Sequence, residues 1–372
     1  MSHHSHRSGR VLLTGATGQV GKGVLLELVR QHRPVTVMLR RPEVQLSSLL
    51  TWLSGQGETQ PDVQAVAGDL LEPHLGWSEG EPDRRPAWSD DIGAVVHCAA
   101  MWGWGLAPDL AEQANVQAPL NLWRQSAQWP RMRRFVMVVG YMSQHRPYLA
   151  ELGLDLDLRP AAQHVDWDRV RQRSGVYEAS KLRAYWLMRE ESLRLNRPLT
   201  VIHPATVVGD EALPEVPATS AIAQLLTQLA AGQMPLVPGS RDHRVPMVSV
   251  GYVARYVATL LEAPEEMGCS EHLLLDPATP DLLSVTRMLA AELQVRGPWG
   301  RVPLNWVKSM ATWPALARLL GLEPESLAFI VKGAFDVSRE TEWAQGRGLS
   351  HPDWMQSLRH TAAAWRRLGS QA

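Results

Sequence analysis

Short apolar runs recur along the first half of this 372-residue chain, and each gives way to a loop and then to a helix-length segment. "RVLLTGATGQVGKGVLLELVRQ" runs from an apolar stretch through a glycine-punctuated turn into helical periodicity from about Val20, which predicts strand, loop and helix. "PVTVMLRRP", "DVQAVAGDL", "IGAVVHCAA" and "RRFVMVVG" predict a second to a fifth strand. Val35 to Leu39 and Phe135 to Val139 lack polar alternation, as strands do when helices cover both faces of their sheet. The pattern predicts an α/β, Rossmann-type doubly wound parallel sheet. "EGEPDRRPAWSDD" reads as a surface loop before the fourth strand.

The remaining chain predicts a smaller, mostly helical substrate domain. The expected division is 9–203 plus 246–276 for dinucleotide binding and 204–245 plus 277–372 for the substrate, with 1–8 a flexible polar leader. Trp299, Trp306 and Trp313 recur every seven residues, although Pro303 and Pro314 interrupt regular structure. Core packing is the expected role of that stripe, ahead of a substrate wall.

Charge and cysteine content narrow the function. With 37 basic and 38 acidic residues the chain lacks the basic field of a nucleic-acid binder. Two cysteines, Cys98 and Cys269, are too few for a disulfide framework or a cysteine zinc site, so a reducing, cytoplasmic setting and no metal are expected. No apolar stretch is long enough to predict a membrane span.

Candidate chemistry begins at the first turn. Gly15, Gly18 and Gly21 let the backbone turn tightly and approach a pyrophosphate, and the helix beginning there offers free N–H groups to it. At the end of the second strand, where an acidic residue would accept from the ribose hydroxyls of NAD, Arg40 and Arg41 offer positive charge to a 2′-phosphate. NADP is therefore favoured over NAD, the alternative being two solvated loop charges. Asp69, after the third strand, is placed either to meet the adenine edge or to cap a loop.

The motifs "TGATGQVG", "GDL", "HCAA", "NVQAPLNLW", "YEASK" and "HPATVVGD" occur in the order and approximate spacing of the extended short-chain dehydrogenase/reductases, which the chain resembles over about 10–210. A weaker echo lies in "VPMVSVGYVARYVATLL". The finer resemblance, through "PLVPG", is to fatty-acyl or thioester reductases and the 3β-hydroxysteroid dehydrogenase-like branch. It implies a cofactor site of Gly15, Thr17, Gly18, Gln19, Val20, Gly21, Arg40, Arg41, Asp69, Leu70, Ala99, Ala100, Lys181, His203, Pro204 and Val207. For His203 a half-buried strand-end role outweighs a catalytic one.

Tyr177 and Lys181 stand at i and i+4 on a helix, so the ammonium can stabilise the phenolate and push the tyrosine down from its ordinary value. The resemblance makes Tyr177 the acid or base and lets Lys181 hold the nicotinamide ribose. Relatives carry a hydroxyl just after the fifth strand, where this chain has Val139 and Gly140. Ser143 is the nearest replacement, unless it only forms a turn. Trp102, Trp104, Gly140 and Tyr141 are the expected substrate-lining residues, and large apolar walls imply a bulky hydrophobic small molecule. The expected activity is NADPH-dependent hydride transfer to or from a carbonyl of an acyl thioester, aldehyde or steroid-like ketone. A sugar-nucleotide epimerase or dehydratase and a non-catalytic dinucleotide sensor are the alternatives, and a homodimer is an allowed assembly.

Overall fold

A computed structural model describes residues 9–77, 85–103, 105–264, 267–311, 313 and 324–369. Trp104, Pro314 and the 1–8 leader lie outside the described residues. Among the described residues thirteen strands follow in order: β1 (Arg10–Thr14), β2 (Val35–Leu39), β3 (Val63–Ala67), β4 (Ile92–His97), β5 (Arg134–Val138), β6 (Leu199–Pro204), β7 (Thr206–Val208), β8 (Leu236–Pro238), β9 (His243–Arg244), β10 (Met247–Ser249), β11 (Cys269–Leu274), β12 (Gly300–Val302) and β13 (Val331–Lys332). Seven of them form one sheet in the order β11-β6-β5-β4-β1-β2-β3, and the register of β1 to β6 is parallel throughout. The doubly wound α/β expectation holds.

The chain divides into two compact units. The first comprises Met1–Val139, Gly153–Ile202 and Ala254–His272, and the second Gly140–Leu152, His203–Val253 and Leu273–Ala372. Gly140–Leu152, inside the span expected for the dinucleotide domain, thus groups with the second unit.

In the first unit every residue of β2, β4 and β5 is buried, which is why these strands read as mainly apolar runs without polar alternation. The edge strand β3 is only partly covered, and its sequence carries the glutamine that β2 lacks. The helix Gln19–Arg30 buries Val24, Leu25, Leu28 and Val29 along one stripe. The Arg134 side chain is buried at 5% exposure at the start of β5. Its guanidinium donates to the carbonyls of Leu260, Ala263 (3.0 Å) and Pro264 (2.8 Å), satisfying the end of the helix that closes at Leu260.

In the second unit the helices Ala221–Ala230, Leu282–Leu293 and Trp354–Gly369 share an apolar core around Ile222, Leu226, Leu289 and Leu358. The tryptophan stripe is not part of any core. Trp299, Trp306 and Trp313 are 74%, 68% and 69% exposed, which corrects the packing expectation. Pro303 starts a new helix after β12, and that helix (Leu304–Ala311) turns Leu304, Val307 and Ala311 inward instead. Among the described residues no helix is long and apolar enough to cross a membrane, and no His, Cys, Asp and Glu group could hold a metal.

Arg134→Met keeps the aliphatic stem and deletes every donor, leaving three carbonyls without their partner. It is expected to cost about 2 kcal/mol or more, read as a lowered denaturation midpoint with an unchanged slope.

Candidate active site

The cradle at the end of β1 is built by glycines whose missing side chains are required. Gly15 has φ +74°, and a Cβ there would lie 2.7 Å from the Ala99 backbone nitrogen at the end of β4. A Cβ on Gly21 would land inside the contact radius of the Gly15 carbonyl oxygen, so the helix could not pack this closely to the turn. Gly18 N–H donates to that same oxygen at 2.9 Å, and Gly18, as N-cap, offers no side chain to the first turn of the helix. Gln19 Nε2 is buried with no hydrogen-bond partner. A tight turn, uncapped helix N–H groups and an orphaned buried donor fit a dinucleotide pyrophosphate. β1 lies between β4 and β2, so its end is where the strand order reverses, the expected place for such a ligand.

Around the cradle, Thr17 is exposed and Val20, Leu70, Ala99 and Ala100 are partly exposed. Arg40 and Arg41 are exposed where β2 ends, and Arg41 begins the helix Pro42–Gly55. Asp69 Oδ1 accepts from Leu71 N–H at 3.0 Å, the loop-capping role. Thr14 Oγ1 receives Ala99 N–H (3.3 Å) and lies 2.8 Å from His97 Nδ1, which fixes the β1 and β4 ends together. Burial first, and the Lys181 charge second, hold His97 down at about 3, so it is neutral at ordinary pH.

Tyr177 and Lys181 lie on the helix Val176–Leu195 as the spacing predicts. Lys181 is 6% exposed, and its Nζ donates to the Val138 carbonyl at 2.7 Å. Burial lowers Lys181 to about 8, opposed by Glu178 and Cys98. The expected downward push on Tyr177 is not found. Burial, and after it the Glu178 charge, push the phenol up instead, because in this structure the ammonium is directed at a backbone carbonyl. Trp102 meets the Tyr177 ring edge-on, with centroids 6.1 Å apart.

Asn115 opens the motif "NVQAPLNLW", yet the sequence alone assigned it no role. It is buried in the π-helical segment Glu112–Gln117 and clamps the loop after β4. Its Oδ1 accepts from Met101 N–H at 2.8 Å, and its Nδ2 donates to Met101 O (2.9 Å) and to Ser180 Oγ (3.0 Å). Ser180 Oγ in turn donates to Tyr177 O at 2.7 Å. An amide ahead of an apolar helix face was the available signal, and the π-bulge that carries it shows only in three dimensions.

In the second unit Gly140 is extended at φ 169°, and a Cβ there would meet nothing within 4 Å. Ser143 is fully buried, with Oγ 2.6 Å from both Gly140 O and His203 Nδ1. Gln144 Nε2 lies 3.2 Å from His203 Nε2. One arrangement satisfies all three contacts: the amide donates to Nε2, Nδ1–H donates to Ser143, and the serine donates to Gly140 O. The Ser143 proton is then spent inside the loop. Tyr141 is 2% exposed, donates to Phe329 O at 2.9 Å and packs against Phe329 and Phe335. Pro204 is buried at the end of β6, and Val207 is half-buried in β7. This unit also holds an apolar cavity of about 120 Å³ lined by residues that include Ile222, Leu225, Met234, Met247, Leu327 and Ile330.

The sequence profile of a family described as male sterility protein, an NAD-binding family, matches residues 13–257. A nonribosomal peptide synthetase of Penicillium fellutanum is 26% identical over 302 residues, covering 74% of this chain and 12% of the synthetase. Fatty acyl-CoA reductase 1 of Xenopus laevis is 24% identical over 230 residues, covering 54% of this chain and 44% of the reductase. The chain therefore spans less than half the length of either relative. Among solved structures, the terminal R domain from the myxalamid PKS-NRPS biosynthetic pathway superposes with a TM-score of 0.70 at 21% identity, covering 98% of this chain and 92% of that one.

Gly21→Ala is expected to weaken reduced-dinucleotide binding at least roughly tenfold in a fluorescence titration, with the circular dichroism spectrum retained, because the added methyl drives the helix off the turn.

Proposed function

This chain belongs to the male sterility protein family of extended short-chain dehydrogenase/reductases, and from that premise we propose that it is an NADPH-dependent reductase acting on the carbonyl of an apolar acyl thioester, aldehyde or steroid-like ketone. The observation that carries the reading is Tyr177, a half-buried phenol pushed above its ordinary value, four residues before a buried lysine. A phenol so placed is protonated at neutral pH and is an acid for a nascent alkoxide. When bound, the reduced nicotinamide supplies the hydride.

The chain's own residues supply the rest. The glycine turn and Gln19 hold the pyrophosphate, and Asn115 fixes the Tyr177 segment to the loop after β4. Lys181 holds the nicotinamide ribose, for which its ammonium leaves the Val138 carbonyl or shares it. Trp102 forms an apolar edge beside the phenol. Ser143 is the expected hydroxyl partner of the substrate oxygen only if the loop releases its proton from Gly140 O. Arg40 and Arg41 support NADPH. Their guanidinium groups make no hydrogen bond or ion pair to described residues and are open to a 2′-phosphate, which disfavours the epimerase alternative.

NADPH is expected to bind at least roughly tenfold tighter than NADH, and Arg40→Ala with Arg41→Ala should erase the difference. Equal affinities in the unaltered protein would remove the NADP assignment. Tyr177→Phe deletes the acid and is expected to keep cofactor affinity while lowering carbonyl-dependent NADPH oxidation by a factor of about 10² or more. Unchanged turnover would exclude Tyr177 as the proton donor.

A further inference from the structure

The tryptophans that the fold leaves outside stand on one short stretch of the second unit. On the helix Leu304–Ala311, Val307 and Ala311 turn inward with Leu327 and pack against Val302 and Ile330. Trp306 therefore points away from that cluster, and helical spacing puts Trp313 on the same outward side two turns later. Its N–H donates to Met310 O at 3.1 Å, which carries the turn just past the helix end. Trp299, before β12, is held by its own N–H on Pro235 O at 3.0 Å. Every other described tryptophan is at least partly covered. The three indole N–H groups make no hydrogen bond to a described residue. Large rings kept in water so close together mark a contact surface.

The charge on this stretch has one sign. From Gln294 to Trp313 the sequence carries Arg296, Arg301 and Lys308 and no acidic residue. Arg301 is held by Asp281 at 2.6 Å. Arg296 and Lys308 are exposed, with no ion pair or side-chain hydrogen bond to a described residue, and Lys308 lies on the flank of the tryptophan face. β13 adds Lys332, exposed and equally unpaired, in register with His243 of β9. Burial first, then Lys332 and more weakly Lys308, hold His243 below its ordinary value against the pull of Asp242. Two lysines from separate segments thus act at one place.

We propose that this face of the second unit is a membrane-contact surface, which rests on an anionic lipid bilayer with Trp306 and Trp313 at the headgroup level and Lys308 and Lys332 on the lipid phosphates. An indole has an apolar body and one N–H to donate, which suits the boundary between acyl chains and headgroups. A lysine at the flank of such a face lays its stem along the apolar surface and turns its charge to the phosphates. Protein interfaces, by contrast, are depleted in lysine. Among the described residues no helix can cross a bilayer, so the contact is peripheral. This surface goes beyond carbonyl reduction and does not depend on it.

Sedimentation of the full chain with vesicles tests the proposal. The unaltered protein should pellet with phosphatidylcholine vesicles that contain about one third phosphatidylglycerol, and stay in solution with phosphatidylcholine alone. Raising salt to about 0.5 M should weaken the partition roughly tenfold. Trp306→Ser with Trp313→Ser should weaken it at least roughly tenfold, and Lys308→Glu with Lys332→Glu should erase the preference for anionic lipid. All four side chains are exposed, so both variants should keep the denaturation midpoint of the unaltered protein. Brominated lipid should quench the part of the tryptophan emission that the double tryptophan variant lacks. Unaltered protein left in solution with both kinds of vesicle, or a double tryptophan variant that pellets as well as the unaltered protein, overturns the proposal. So does a dimer that binds no vesicle and that the tryptophan variant dissociates, since the face then meets a second copy of the chain. No turnover is read, so failure of the reductase reading would change none of these results.

Discussion

The close approach of two backbones, Gly15 beside Gly21, is the constraint on which the rest of the first unit depends. A methyl at Gly21 would collide with the Gly15 carbonyl, and one at Gly15 would reach 2.7 Å from Ala99 N. Because neither is present, the first helix begins directly against the end of β1 and opens its N–H groups toward the point where the sheet order reverses. The groups able to meet a dinucleotide are arranged on that edge: Gln19 with its orphaned donor, the two exposed arginines after β2, and the loop after β4.

A buried polar clamp then ties that edge to the helix of Tyr177 and Lys181. Asn115 bonds both the N–H and the C=O of Met101 and passes through Ser180 to the Tyr177 carbonyl. Because each group in the chain is satisfied, the clamp fixes one position for the tyrosine without leaving one of its own polar atoms unpaired. The electrostatics differ from the simple picture of a lysine lowering a phenol. Burial acts on Tyr177, Lys181 and Glu178 alike, raising the two acids and lowering the base, so each is driven toward its neutral form. A site biased in this way is suited to giving protons to a substrate oxygen.

The second unit solves a different problem. With glycine at position 140 the loop has no hydroxyl there, and Ser143 turns back onto Gly140 O while receiving His203. Three contacts between Gln144, His203, Ser143 and Gly140 run in one direction and hold the loop closed on itself. The space beside Gly140, where an added Cβ would meet nothing within 4 Å, leaves room for a substituent that this chain does not carry.

The sheet and its cradle were legible from the chain alone. β2, β4 and β5 are buried end to end, so their residues are mostly apolar, and the glycines at 15 and 21 mark a turn and a close approach that a side chain would block. β11 was missed because it alternates buried and partly exposed residues at the sheet edge, and its Glu271 and His272 weaken the apolar signal. The i, i+4 spacing of Tyr177 and Lys181 was equally visible, since it depends on helix geometry alone. What their ionisation would be was not, because the direction of the Lys181 side chain and the depth of burial come from segments far apart in sequence. The same holds for the tryptophans at 299, 306 and 313: periodicity gives their spacing, but which face of a segment turns inward is decided by what packs against it, and here Leu304, Val307 and Ala311 took the inside.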